Sequence, residues 1–101
     1  MPMSEITKQV YYDVLKYKGK NYMVLHAIEE MSELAKELLK NVNRGKDNAD
    51  DIFEEVADVT ILLERVKQIY DISDDKLWDY INQKTVDKIL PRVEKWKNMQ
   101  G

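Results

Sequence analysis

The chain has 101 residues, of which 44% are hydrophobic and 35% are charged, and its net charge is −3. This length fits one globular domain, and the lack of a basic excess argues against a general nucleic-acid-binding protein. The chain has no cysteine, which excludes disulfides, thiolate zinc sites and cysteine nucleophiles. Three glycines and two prolines are too few for the turns of an all-β domain, so we expect a single all-helical domain spanning residues 1–101.

The first two predicted helices cover the N-terminal half of the chain. Apolar residues at helical spacing predict a helix from about Ser4 to Tyr17, and the sequence Lys18-Gly19-Lys20-Asn21 ends it. A richer apolar pattern predicts a second helix over about 22–42. This helix should end at the following turn, which contains Gly45. Glycine readily adopts the left-handed conformation that terminates helices.

Two further helices are predicted in the C-terminal half. The third begins near Asn48, a good N-cap residue, and runs to about Tyr70. Apolar side chains point in almost every direction over 52–63, so we expect this helix to be buried. The fourth begins after Ser73. Pro91 predicts a kink or an early stop just before it, because an interior proline costs about 3 kcal/mol.

Two groups of acidic residues lie on neighbouring predicted helices. The second helix contains Glu29-Glu30-Met31-Ser32-Glu33, and the third contains Glu55-Val56-Ala57-Asp58. A separation of three residues places two acids on one surface of each helix. At about 100° per residue, Glu55 and Asp58 share a sector with Leu62, which is expected to be buried. If the two helices pack as an antiparallel pair, four carboxylates converge.

Converging carboxylates need compensation, because an ionised carboxylate in apolar surroundings costs several kcal/mol. Basic partners, shared protons or a metal ion could each provide it. Taken alone, Glu-Glu-x-x-Glu is usually a solvated acidic face. The position of Glu55 and Asp58 among apolar residues of the third helix instead favours a bound ion. Oxygen ligands without cysteine suit a hard cation such as Mg²⁺ or Mn²⁺.

This pattern resembles the signature of the MazG-like all-helical nucleoside triphosphate pyrophosphohydrolases, which is Glu-Glu-x-x-Glu followed after a couple of dozen residues by Glu-x-x-Asp. Lys18-Gly19, Asn43-Arg44-Gly45 and Ala57-Asp58-Val59 are also similar, so the resemblance covers about residues 15–95. It implies a four-helix bundle-like domain completed by a homodimer or homotetramer. It also implies Mg²⁺-dependent cleavage of a (d)NTP to a (d)NMP and pyrophosphate.

The resemblance further implies roles for the acidic residues. Four of them would be metal ligands, namely Glu30, Glu33, Glu55 and Asp58. Glu29 would sit beside the ligands or help to activate water. The substrate base cannot be read from the sequence, and related folds include dUTP and dCTP hydrolases and enzymes that remove pyrophosphate from phosphoribosyl intermediates.

Basic and aromatic residues offer possible substrate contacts. Lys84, Lys88 and Arg92, followed by Lys95, project into one sector of the fourth predicted helix and could bind triphosphate oxygens or form a solvated basic face. His26 lies one turn before Glu30 and could contact substrate, steady Glu30 or be an ordinary half-exposed histidine. Several aromatic residues could stack on a base, although most are expected to pack internally: Tyr11, Tyr12, Tyr17, Tyr22 and Trp78.

The main alternative function is a non-catalytic helical oligomerisation or interaction module, which explains the helices but not the acids at 55 and 58. A di-iron carboxylate bundle is excluded because the chain has one histidine and no Glu-x-x-His.

The small size makes a lone domain marginally stable and favours a homo-oligomer. The absence of a secretory signal pattern and of an apolar run of about 20 residues predicts a cytoplasmic protein without a membrane partner.

Overall fold

The computed structural model describes residues 3–100, which are helical with short connections and contain no strand. The predicted all-helical class is therefore confirmed. Five α-helices and one π-helical segment follow in chain order: α1 (Glu5–Lys18), α2 (Lys20–Arg44), α3 (Ala49–Ile69), α4 (Asp74–Lys84), the π segment (Thr85–Ile89) and α5 (Leu90–Gln100). None of the helices within residues 3–100 has the length and apolar character needed to span a membrane.

Local sequence explains where the first two helices begin and end. The Ser4 hydroxyl caps α1 by accepting a hydrogen bond from the Thr7 backbone N–H at 3.1 Å. Gly19 separates α1 from α2 with a φ of 86°, and Gly45 ends α2 with a φ of 63°. Both glycines adopt backbone conformations that other residues rarely tolerate. The break between the first two helices is therefore a single residue, shorter than the predicted one.

α2 and α3 pack against each other as an antiparallel pair. At one end, the ammonium of Lys20, the first residue of α2, lies 4.9 Å from the ring centroid of Tyr70, which follows α3. Among residues 3–100, the core consists of five buried apolar residues, two from α2, two from α3 and one from α1: Met23, Ala27, Val59, Leu62 and Tyr11. This packing aligns the middle of α2 with the first half of α3.

Asn48 fixes the other end of the α2–α3 pair. It occupies the N-cap position of α3, but its side chain makes no capping hydrogen bond. Instead, its amide nitrogen donates to the Glu37 backbone oxygen at 2.9 Å and to the Glu37 carboxylate at 2.7 Å. The Asn41 amide donates to the Asn48 side-chain oxygen at 3.2 Å. Only 3% of Asn48 is exposed, so this side chain ties the loop to α2 from inside the structure.

α3 is buried on one face only, which corrects the expectation that it would be covered on all sides. Val59 and Leu62 are buried, whereas Phe53 is 77% exposed and both Val56 and Leu63 are 46% exposed. The physical reason is that α2 is the principal helix packed on α3 in residues 3–70, and one neighbouring helix covers one side. Apolar surface that the sequence suggested would be internal is therefore open to solvent.

The chain divides after Tyr70 into two compact units, and the second contains α4, the π segment and α5. The sequence predicted a kink or an early stop near Pro91. The stop does not occur, because the helical backbone continues to Gln100, and the irregularity takes the form of the π segment that precedes Leu90. Proline lacks an N–H and its ring crowds the carbonyl four residues earlier, which here is that of Asp87. Asp87 lies in the π segment, which ends at Ile89. The wider π turn therefore accommodates the proline ring, and the helix does not break.

Candidate metal site

Three acidic side chains from two helices meet beside the core. α2 supplies Glu30, and α3 supplies Glu55 and Asp58, which lie one turn apart on its surface. One carboxylate oxygen from each residue lies within 4.8 Å of the other two. All three residues are half-buried. The antiparallel packing of α2 and α3 therefore brings together three of the four residues that the sequence predicts as metal ligands.

Glu55 has the most unusual environment of the three. Its Oε2 atom is buried and has no hydrogen-bond partner among the described residues. Burial raises the pKa of this carboxyl above its ordinary value, and the negative charges of Glu30 and Asp58 raise the pKa further. Each of these effects disfavours the ionised carboxylate when no cation is bound. A cation between the three residues would reverse that penalty.

Glu33 and Glu29 lie outside the group of three carboxylates. A Glu33 carboxylate oxygen lies 3.5 Å from the Lys36 ammonium, and 48% of the Glu33 side chain is exposed. Its charge still contributes to the raised pKa of Glu55, so it lies near the site. Glu29 is exposed. The predicted roles of Glu33 as a ligand and Glu29 in water activation remain predictions.

His26 contacts the site from one turn earlier on α2. Its Nε2 atom lies 3.5 Å from a Glu30 carboxylate oxygen. Its Nδ1 atom is buried without a hydrogen-bond partner in residues 3–100, and its ring centroid lies 5.9 Å from that of Tyr22. Of the roles considered for His26 from sequence, this position favours steadying Glu30, because a neighbouring imidazole restricts the orientation of a metal-binding carboxylate.

Lys84, Lys88 and Arg92 belong to the second compact unit, and all three are exposed. Lys84 ends α4, Lys88 lies in the π segment and Arg92 lies in α5. Because a π turn is wider than an α turn, the single α-helical sector expected for these residues does not apply across the segment. Their role in substrate binding remains a prediction.

The donor set fits a hard divalent cation. All three side chains offer oxygen, which Mg²⁺, Mn²⁺ and Ca²⁺ prefer. Mg²⁺ in particular is commonly held by one or two carboxylates while water and substrate phosphates fill the remaining positions. Because all three side chains are only half-buried, water and phosphate oxygens could complete the coordination of such a cation.

Comparison of the chain with models of protein families, with curated proteins and with solved structures found no match. Its function must therefore be inferred from its own residues and their geometry.

Proposed function

We propose that this protein is a Mg²⁺-dependent nucleoside triphosphate pyrophosphohydrolase that cleaves a (d)NTP to a (d)NMP and pyrophosphate. The observation that supports this most strongly is the meeting of Glu30, Glu55 and Asp58, with oxygens within 4.8 Å of one another and a buried, unpartnered Glu55 oxygen. Such a group is costly without a cation and favourable with one. The resemblance of these motifs to MazG-like enzymes supplies the reaction class.

The chain's own residues would divide the work of this reaction. Glu30, Glu55 and Asp58 would hold the cation, which when bound neutralises phosphate charge and lowers the pKa of water. The oxygen of water attacks phosphorus, the P–O bond to the leaving pyrophosphate breaks, and the proton of water must be accepted. The resemblance to the MazG-like enzymes assigns this role to Glu29, whose side chain is exposed, so a carboxylate oxygen of Glu29 is our candidate acceptor.

A nucleotide panel tests the proposed function. Purified protein is incubated with each of the common NTPs and dNTPs in Mg²⁺ or Mn²⁺, and pyrophosphate is measured separately from phosphate. We expect pyrophosphate as the product for at least one nucleotide, with activity abolished in Glu55→Gln. Glu54→Gln is the matched control because Glu54 is the exposed neighbour of Glu55. No hydrolysis of any nucleotide, or release of phosphate alone, would contradict the proposal.

We also infer that the protein forms a homo-oligomer. Large apolar side chains are exposed on α2 and α3, including Val42 and Phe53 at 77% each. In the second unit, no described residue is fully buried. Exposed apolar surface of this extent usually marks an interface. Light scattering coupled to gel filtration is expected to give a dimer or tetramer, and Phe53→Lys should shift the protein towards the monomer.

The same exposed apolar residues also favour the alternative, a non-catalytic helical interaction module. The two functions differ in their response to metal. A module has no reason to bind Mg²⁺ between α2 and α3, whereas the hydrolase requires it. An oligomer that is indifferent to Mg²⁺ and inactive on every nucleotide would support the module.

A further inference from the structure

Arg65 of α3 is a half-buried basic residue without an acidic partner. The other half-buried lysine and arginine residues in 3–100 are Lys40 and Lys67. Lys40 lies 3.1 Å from the Glu37 carboxylate, and Lys67 lies 3.0 Å from the Glu64 carboxylate. Arg65 forms neither an ion pair nor a hydrogen bond with any described residue. Because a charge partly removed from water is unfavourable without an opposite charge, the environment of Arg65 favours a bound anion.

The aromatic ring of Tyr11 holds the Arg65 guanidinium from one side. The Arg65 Cζ atom lies 5.2 Å from the ring centroid, within the distance at which a cation is attracted to an aromatic face. Only 6% of Tyr11 is exposed, so the ring belongs to the core. The Arg65 Nε atom is buried and has no partner in residues 3–100, whereas the two terminal nitrogens are not buried. The guanidinium is therefore anchored at its inner edge and has free N–H donors at its outer edge.

Arg65 lies on the side of α3 that carries Asp58, one of the three carboxylates of the metal site. The two residues are seven positions apart, and at about 100° per residue they point within about 20° of each other around the helix. Glu55 lies about 80° away from Arg65 by the same count. Asp58 and Arg65 are about 10 Å apart along the helix axis, and the tilt of side chains towards the N-terminus of a helix brings the guanidinium closer to Asp58. Arg65 therefore flanks the metal site at its Asp58 edge.

Resting on the proposed function, we propose that Arg65 binds phosphate oxygens of the substrate that the metal ion leaves uncovered. A triphosphate carries more negative charge than one divalent cation neutralises, and it extends beyond the ion that holds it. The planar guanidinium can donate two parallel hydrogen bonds to a phosphate group. A phosphate bound there would supply the negative charge that Arg65 lacks in the free protein. Tyr11 keeps the guanidinium in place for this contact and is a positioning residue.

Gln68 offers a purely structural role for Arg65. Its Oε1 atom is also buried without a partner among the described residues, and Gln68 lies three positions after Arg65 on α3. At this spacing a small side-chain rearrangement would let Arg65 Nε donate to the amide oxygen. A neutral amide does not offset the charge of a guanidinium, so a bond to Gln68 would leave the charge of Arg65 uncompensated. Measurement of phosphate binding separates the two roles.

Binding of inorganic triphosphate tests the proposal. This probe has the phosphate groups of a nucleoside triphosphate without the base or the sugar, and it is titrated calorimetrically into the protein with Mg²⁺. Arg65→Gln should weaken its binding about 10-fold or more. Arg65→Lys, which keeps the charge but loses the planar arrangement of donors, should recover only part of the affinity. In assays of nucleotide hydrolysis, Arg65→Gln should raise KM by a factor similar to that for triphosphate binding.

Two matched variants serve as controls. Arg44→Gln changes an exposed arginine at the end of α2 and should bind triphosphate as the wild type does. Tyr11→Phe keeps the ring beside the guanidinium and should also bind normally, whereas Tyr11→Leu, which removes the ring, should weaken binding. The melting temperature of each variant is measured without ligand, so that a loss of affinity is distinguished from a loss of folded protein.

Failure of this proposal and failure of the proposed function give different results. If Arg65→Gln folds normally and binds triphosphate as tightly as the wild type, with unchanged KM, the role of Arg65 is overturned while hydrolysis by the wild type stands. The same conclusion follows if Arg65→Gln and Gln68→Leu both lower the melting temperature and neither alters triphosphate binding. If triphosphate binds through Arg65 but the wild type hydrolyses no nucleotide, the proposed function fails and the anion site stands. If the wild type neither hydrolyses a nucleotide nor binds triphosphate, both fail.

Discussion

Replacement of Asn48 by alanine should destabilise the protein, because this side chain joins the loop before α3 to α2. The variant loses the hydrogen bond from the Asn48 amide to the Glu37 backbone oxygen at 2.9 Å and the one received from Asn41 at 3.2 Å. Each is worth about 1 kcal/mol, so these two bonds alone predict a loss of about 2 kcal/mol. The bond to the Glu37 carboxylate at 2.7 Å adds to this loss.

Thermal denaturation followed by circular dichroism measures this change. A loss of about 2 kcal/mol should lower the melting temperature by about 8–16 °C in a domain of this size. The Asn48 hydrogen bond, followed by Lys40, lowers the pKa of Glu37. Stability from Glu37 is thus present above its ordinary pKa and lost as the pH falls through the lowered value. The difference between wild type and Asn48→Ala should therefore be larger at pH 7 than at about pH 2.

Asn21→Ala, at an exposed position in α2, is the control and should change the stability by no more than about 0.5 kcal/mol. If Asn48→Ala behaves like this control, the side chain does not hold the loop and the reasoning is refuted.

Three other predictions concern single residues. Because burial raises the pKa of Glu55, its contribution to stability is favourable below its ordinary pKa and is lost as the pH rises through the raised value. Metal-free Glu55→Gln should therefore melt above the wild type at pH 7, with a difference that shrinks towards about pH 4 and is much smaller in Glu54→Gln, because the Glu54 charge contributes least to the raised pKa of Glu55. Leu62→Ala removes a side chain that is 4% exposed and should lower the free energy of unfolding in urea by about 2–5 kcal/mol. The alanine side chain of Gly45→Ala would meet no neighbouring atom, but the residue must adopt a φ of 63°. The free energy of unfolding in urea should therefore fall by about 1–2 kcal/mol. An unchanged urea midpoint in Leu62→Ala or in Gly45→Ala would contradict the corresponding expectation.

The helices could be predicted from the sequence because their signals are local. Ser4 and Ser73 precede the helices that they cap, and Gly45 follows the helix that it ends. The consequence of Pro91 was harder to predict, since a proline inside a helix can end it, kink it or be accommodated by a wider turn. Which of these occurs depends on backbone geometry over the preceding turn, and periodicity of apolar residues does not encode that geometry.

The site was predictable only in part. A spacing of three placed Glu55 beside Asp58, and the apolar pattern of α3 placed both near the core. The register between two helices decides which acid of α2 faces them, and here Glu30 does while Glu33 lies beside Lys36. That register depends partly on Asn48, whose hydrogen bonds to α2 span 11 residues and follow no periodic pattern.

We propose that a divalent cation binds between α2 and α3, and the melting temperature with and without Mg²⁺ tests this binding most directly. At a Mg²⁺ concentration ten times the dissociation constant, binding to the folded state adds about 1.4 kcal/mol, which should raise the melting temperature by about 6–11 °C. Asp58→Asn should abolish this rise, and Asp79→Asn, at an exposed position in α4, should keep it. An equal response to Mg²⁺ in the wild type and Asp58→Asn, or none in either, would contradict the claim.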